Sequence, residues 1–159
     1  MTRATYKSTG IKKMDRSPLY FGYGSNLDTT DLSQRCRTEG WIFPLGRSVS
    51  RGRALDVELC FDYESISREG GALNLRPRLG QVVDGQLFEM AEGGWDVLDK
   101  KEGAPTYYER VPIHVCCDNG EMVTAVTYTV VPNRRHQDGY VKPGTDYVDI
   151  VRRGRESFG

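Results

Sequence analysis

Strand signals outnumber helix signals along this chain, and that imbalance restricts its fold more than any other feature. Leu55, Val57, Leu59 and Phe61 alternate with Asp56, Glu58 and Cys60, the period of two that half-buries a strand. Residues 70–76 and 82–90 read as two further strands. Val111, Ile113, Val115 and Cys117 share one face of another. Asn119-Gly120 is a hairpin signal, and it leads into residues 122–131, rich in Val, Thr and Tyr. Near the start, Leu19-Tyr20-Phe21-Gly22-Tyr23 is a short aromatic strand that runs into a Gly-Ser-Asn turn.

Helices are few and short. Asp28 can cap one over residues 29–36, with Asp31 in its first turn, where negative charge meets the positive end of the helix dipole. Residues 95–102 form a second, closed by Gly103 as a C′ glycine. Thr145, following Pro143, caps a third over 145–153 that Gly154 ends. This order predicts an α+β fold, a mostly antiparallel, partly closed β-barrel with a few short helices. A length of 159 residues suits one domain. Residues 1–17 have little apolar periodicity and several basic groups, and read as a flexible N-terminal arm ahead of a single domain over 18–159.

Lys and Arg number 22 and Asp and Glu number 22. That balance gives no support to a nucleic-acid partner, which usually requires a basic excess on one face. No apolar run approaches the length of a membrane span, and the first residues lack a signal-peptide stretch, so a cytoplasmic protein without a membrane partner is expected. The adjacent Cys116 and Cys117 fit no CxxC pattern, and with Cys36 and Cys60 they read as small apolar side chains in a reducing compartment. His114 and His136 stand at no metal-binding spacing, so no metal is expected.

Two places carry candidate chemistry. Tyr23-Gly24-Ser25-Asn26 lies where a strand ends and a helix is about to begin. Backbone N–H groups at such a junction, with the Ser25 hydroxyl and the Asn26 carboxamide, suit an anion or a developing oxyanion. Gly24 lets the backbone approach a ligand closely. An ordinary connecting turn has the same composition, and by composition alone that reading is favoured over the functional one. Further on, Trp95, Leu98 and Glu102 stand at i, i+3 and i+7 on one helix face, with Lys100 and Lys101 pointing elsewhere. A carboxylate at the apolar end of a helix would be withdrawn from water, with Asp99 adding negative charge one turn earlier, an environment that suits a general base. A frayed helix end with Glu102 in water fits the pattern equally.

Other candidates are weaker. Tyr20, Tyr23, Tyr107, Tyr108, Tyr128 and Tyr147 can hold a carboxylate through their hydroxyls or serve as core. Cys60 and Cys116 meet a histidine only by tertiary accident, and a strand thiol is ordinarily inert. Two carboxylates for glycoside hydrolysis are always available among 22 acids. Arg76 and Arg78 read as solvated surface.

Taken in order, the segments carry a resemblance. Leu19 to Leu27, with its YGSNL loop, resembles the opening of γ-glutamyl cyclotransferases and avirulence-induced-gene proteins. Val83-Asp84-Gly85-Gln86-Leu87-Phe88 is similar to that family's V-x-G-x-L-(Y/F) strand, and Leu98-Asp99-Lys100-Lys101-Glu102-Gly103 to its L-D-x-x-E-G helix end. Tyr108-Glu109-Arg110-Val111, Ala125-Val126-Thr127-Tyr128 and the stretch from Pro143 through Tyr147 to Gly154 follow in the same order. The resemblance implies a cofactor-independent enzyme that cyclises a γ-glutamyl amine or amide to 5-oxoproline and releases the amine. Glu102 matches the family's acid/base. Tyr23, Gly24, Ser25, Asn26 and Leu27 match its substrate loop, and Tyr108 and Tyr147 match tyrosines near the substrate. The implied partner is a small-molecule γ-glutamyl substrate. Residues 37–53 and 63–69 match no family motif, and in the family these intervals shape the space for the leaving group. The leaving amine is therefore open, as is the oligomeric state. Two other functions stay in view: a non-catalytic ligand- or partner-binding member of the fold, and a hydrolase that uses Glu102 with water.

Overall fold

Two long strands frame the fold of the computed structural model, which describes residues 17–158. A short strand, β1 (Tyr20–Gly22), comes first, and helix α1 (Thr29–Glu39) follows it. Then come β2 (Leu45–Ser65) and β3 (Gly70–Met90), paired antiparallel from Ser65↔Gly70 to Leu45↔Met90. Helix α2 (Gly94–Glu102) precedes β4 (Tyr108–Cys117) and β5 (Met122–Val130), which form the hairpin turned at Asn119-Gly120. Helix α3 (Thr145–Phe158) closes the chain. Between β3 and β5 lies β1, antiparallel to the first and parallel to the second. The sheet therefore closes in the order β1-β3-β2-β4-β5. Closure gives every strand two neighbours and leaves no free edge.

The expected α+β, mostly antiparallel barrel is found, with two differences inside its strands. Residues 70–76 and 82–90 are the two ends of one strand. The register shifts between Val57↔Pro77 and Leu55↔Val82, so residues 78–81 leave the ladder opposite Asp56. Asp56 adopts φ 57° and Gly80 φ 83°, and the Gly80 amide donates to Asp56 Oδ1 at 2.9 Å. A bulge on both partners carries the pairing across a segment whose local sequence reads as a break. The second difference is in β2, where Leu55, Val57, Leu59 and Phe61 are only half-buried, whereas Gly52, Ala54 and Cys60 are buried. A barrel of few strands has a narrow interior, which small side chains suit.

The core has two parts. Phe21, Leu75, Leu87 and Val115 of the strands belong to one cluster, which Tyr147 and Val151 of α3 join. Leu27, Leu32, Leu98, Phe88 and Val130 belong to the other, which fastens α1 and α2 to the barrel. Asp28 caps α1 as expected, its Oδ1 accepting from the Asp31 amide at 3.1 Å, and the helix runs on to a left-handed Gly40. Gly103 ends α2 in the same left-handed conformation, φ 68°. Gly154 does not end α3, as the sequence suggested, because the helix passes through it. A Cβ there would collide with the Asp28 amide nitrogen and the Leu27 carbonyl carbon, so the missing side chain allows helix and loop backbones to touch. The arm expected over residues 1–17 lies outside the described residues except for Ser17, whose Oγ accepts from Trp95 Nε1 at 2.9 Å. Among the described residues no helix is long and apolar enough to cross a membrane.

Candidate active site

The turn after β1 tightens into a single 3-10 turn, Ser25–Leu27. Leu27 anchors it: the side chain is 1% exposed and sits in the helix-facing core, and it does not line the adjoining cavity. With that anchor buried, Gly24, Ser25 and Asn26 stand at the cavity wall. The first amides of such a turn have no carbonyl to bond within it. From the opposite side, the end of α2 brings Glu102 to the same cavity.

Asn26 joins the two. Its Nδ2 donates to Glu102 Oε1 at 2.9 Å and to Tyr20 Oη at 2.9 Å. Both amide protons are thereby committed, and Oδ1 is left buried with no partner. Glu102 is 16% exposed at its side chain and has Lys101 Nζ at 3.8 Å from the same Oε1. The expectation that Lys101 points away is corrected. Its side chain is only 7% exposed, and burial holds its ammonium below the usual lysine range, against the opposing pull of Glu102. The expectation that Asp99 adds its charge to the site is corrected as well. That carboxylate is engaged by Arg110, through Nε at 2.8 Å and Nη2 at 2.5 Å, and by the Tyr128 hydroxyl at 2.7 Å. The Arg110 hydrogen bonds hold it below the usual carboxylate range.

Tyrosines make up most of the remaining wall: Tyr20, Tyr23, Tyr108, Tyr128 and Tyr147. Burial, followed by the nearby Glu102 charge, raises Tyr20 and Tyr23 well above the usual phenol range, and burial also raises Tyr147 to about 12. All three hydroxyls thus keep their protons near neutrality. Tyr23 donates its proton to the Tyr128 carbonyl at 2.7 Å, and Tyr108 donates to the Leu73 carbonyl at 3.1 Å. Tyr147 accepts from the Leu73 amide at 2.8 Å, and Tyr20 accepts from Asn26. These last two keep a proton to give to a ligand.

The cavity thus gathers Glu102, Tyr23, Gly24, Ser25, Asn26, Tyr108 and Tyr147 of the residues picked out from sequence, and leaves Leu27 behind it. It adds Leu73, which the sequence did not suggest, and Tyr20 and Tyr128, which the sequence offered only within the wider tyrosine set. Lys101 was missed too, although it follows the buried Val97 by four residues, a spacing that puts the two on one helix face. Cys60 is no nucleophile here, since burial, with Asp62 adding to it, pushes its thiol up to about 12. Among the described residues no group of His, Cys, Asp and Glu is placed to hold a metal.

A closed barrel presenting one carboxylate, held by a carboxamide from a Gly-Ser-Asn turn, defines a class of protein that can be compared with known ones. Residues 20–149 match the family described as "Gamma-glutamyl cyclotransferase, AIG2-like". The chain belongs to that family. Among solved structures, a protein described as gamma-glutamyl cyclotransferase is 23% identical with a TM-score of 0.74, over 89% of this chain and 79% of that one. A human protein described as uncharacterized is 24% identical with a TM-score of 0.75, over 91% and 82%. A mouse AIG2-like protein is 23% identical with a TM-score of 0.50, over 74% and 81%. At these identities the likeness shows the fold alone. Among curated proteins none matches.

Proposed function

We propose that the chain is a cofactor-independent γ-glutamyl cyclotransferase, converting a γ-glutamyl amine or amide to 5-oxoproline and the free amine. The observation that carries this reading is Glu102: a nearly buried carboxylate, fixed through Oε1 by Asn26, on the wall of a cavity otherwise lined by tyrosines and the Gly24–Asn26 turn. Cyclisation requires that kind of group. The substrate's own α-amino nitrogen attacks its γ-carbonyl carbon, forming the ring C–N bond. Glu102 takes a proton from that nitrogen and returns one to the departing nitrogen as the original C–N bond breaks. The nucleophile comes from the substrate, so the enzyme's task is to fold the glutamyl chain back on itself, and a unimolecular attack gains from that positioning. The spare protons of Tyr20 and Tyr147, with the Ser25 and Asn26 amides, suit the α-carboxylate and the tetrahedral oxyanion.

The test is incubation with a panel of γ-glutamyl amino acids and amines, with products identified by mass spectrometry beside a Glu102→Gln control. The expected result is 5-oxoproline from the wild type and a rate lower by about 10²–10⁴-fold in the variant, the usual worth of a positioned acid/base. Free glutamate in its place would make the protein a hydrolase. Binding without any turnover would leave a ligand-binding member of the fold.

A further inference from the structure

Leu27, which the tyrosine cavity leaves out, lines a separate cavity of about 120 Å³ between β2, β3 and the end of α3. The two cavities share no lining residue. The floor of the second is main chain, because Gly52 and Gly85 face each other there on paired strands. A Cβ on Gly85 would strike the Phe21 ring and the Gly22 carbonyl, and one on Gly52 would strike Val115, so the packed barrel interior requires both glycines. Three guanidinium groups stand around that floor. Arg53 and Asp84 are cross-strand partners and pair at 3.4 Å, and Arg51 reaches Asp118 at 3.4 Å. Arg155 differs from them. Half-buried, it pairs with no carboxylate among the described residues, and both of its hydrogen bonds leave from one nitrogen, Nη1, for the carbonyls of Tyr23 and Asp84. Its Nε and Nη2 donate to no group among the described residues. Burial holds the group below the usual arginine range, with Asp84 opposing. A partly desolvated cation with most of its planar fork unused costs free energy, which a bound anion offsets.

We propose that this cavity is a binding site for a small organic carboxylate, a monoanion with a short apolar body, distinct from the tyrosine cavity. The carboxylate takes the unused Nε and Nη2 edge of Arg155, whose planar fork matches two carboxylate oxygens. Three arginines against two aspartates leave one positive charge in excess on the walls, which balances a monoanion. Asp84 and Asp118 repel any second negative charge, so a dianion such as phosphate is disfavoured. Leu27 and Phe158 supply an apolar wall for the body of the ligand. The space equals that of about four waters, which suits a molecule the size of butyrate. The site makes no use of Glu102, so it stands whether or not the chain turns over a γ-glutamyl compound.

The test is an amide NMR titration of the isotope-labelled full chain with sodium butyrate, beside acetate, inorganic phosphate and butylammonium at equal ionic strength. Saturable shifts centred on the Gly52 and Gly85 amides are expected with butyrate, weaker binding with acetate and phosphate, and none with butylammonium. Arg155→Gln should weaken butyrate binding by about tenfold or more, the worth of a charge-assisted contact. Arg155→Lys, which keeps the charge and loses the fork, should fall between that variant and wild type. Near-UV circular dichroism of each variant checks that it has folded. Because Arg155 also grips the Tyr23 carbonyl, Phe158→Ala gives a second test that leaves the guanidinium in place. It should remove the advantage of butyrate over acetate while leaving acetate binding unaltered. Glu102→Gln should bind butyrate as wild type does. Shifts centred on Gly24–Asn26, or butyrate binding that responds to Glu102→Gln and not to Arg155→Gln, would assign the ligand to the tyrosine cavity and overturn the site. Phosphate bound as tightly as butyrate would overturn the ligand class, and no saturation at tens of millimolar butyrate would overturn both.

Discussion

Asn26 decides how Glu102 is presented. One amide proton goes to the carboxylate and the other to Tyr20, so the side chain can neither rotate nor release the acid without leaving a buried polar group unpaired. Asn26→Ala is therefore expected to lower turnover by on the order of 10²-fold through misplacement of Glu102, with a smaller change in KM; steady-state kinetics on the best panel substrate reads this directly. An unaltered kcat would mean that Glu102 needs no such support. Tyr147 has a comparable structural duty. Its hydroxyl accepts the Leu73 amide, so Tyr147→Phe strands a buried N–H at a cost of about 1–3 kcal/mol. Urea titration should show that loss even without substrate. Sequence periodicity left Glu102 undecided between solvent and cavity, and motif order tipped it toward the site. The Asn26–Glu102 bond joins residues 76 positions apart, which no local pattern reveals.

At the scale of elements, α3 acts on the turn after β1 through three consecutive residues. Arg153 Nε reaches Asp28 Oδ2 at 3.2 Å, Gly154 lies against the Leu27–Asp28 backbone, and Arg155 Nη1 donates to the Tyr23 carbonyl at 2.9 Å and the Asp84 carbonyl at 2.8 Å. The same helix also carries Tyr147 into the cavity. Gly154→Ala would force the two backbones apart, a strain of about 1–3 kcal/mol for overpacking of this kind. A lower urea midpoint is expected, together with slower 5-oxoproline release because the turn moves with the helix. A midpoint equal to wild type would show that the close approach is dispensable. From sequence, Gly154 looked like a helix stop, because glycine after a capped amphipathic run usually is one. Only the neighbour's position reveals the other use of a missing Cβ.

For the whole molecule, the attachment of α2 to the barrel governs whether Glu102 reaches the cavity at all. Asp99 on α2 bonds to Arg110 on β4 and Tyr128 on β5, tying the helix to two strands. Its folded carboxyl titrates lower than an unfolded one. The stabilisation is therefore complete above the unfolded value of about 3.9 and is lost as pH falls below it through the lower folded value. Asp99→Asn should accordingly lower Tm near pH 7, by an amount corresponding to about 1 kcal/mol for a partly exposed ion pair and its hydrogen bond. The wild-type and variant Tm values should converge as the pH drops below about 3.9. A Tm gap that persists at low pH would trace the effect to packing.

Local chemistry was sufficient to locate most strands, the Asp28 cap, the Gly103 stop and the Asn119-Gly120 hairpin, because alternation, capping and turn geometry each act within a few residues. It also placed the glycine turn and Glu102 in an order shared with a family. It did not reveal that β3 is continuous, that α3 runs through Gly154, that Asp99 turns to Arg110, or that Lys101 turns inward. Each of these depends on a partner far along the chain: Asp56 opposite the bulge, the Leu27–Asp28 backbone beneath the helix, Arg110 and Tyr128 on the barrel wall, and an opening that Lys101 lines with Arg35 and Arg68. Sequence determined which segments could be strand, turn or helix. Tertiary structure decided which charges face one another, because closing a barrel brings together residues that no local period relates.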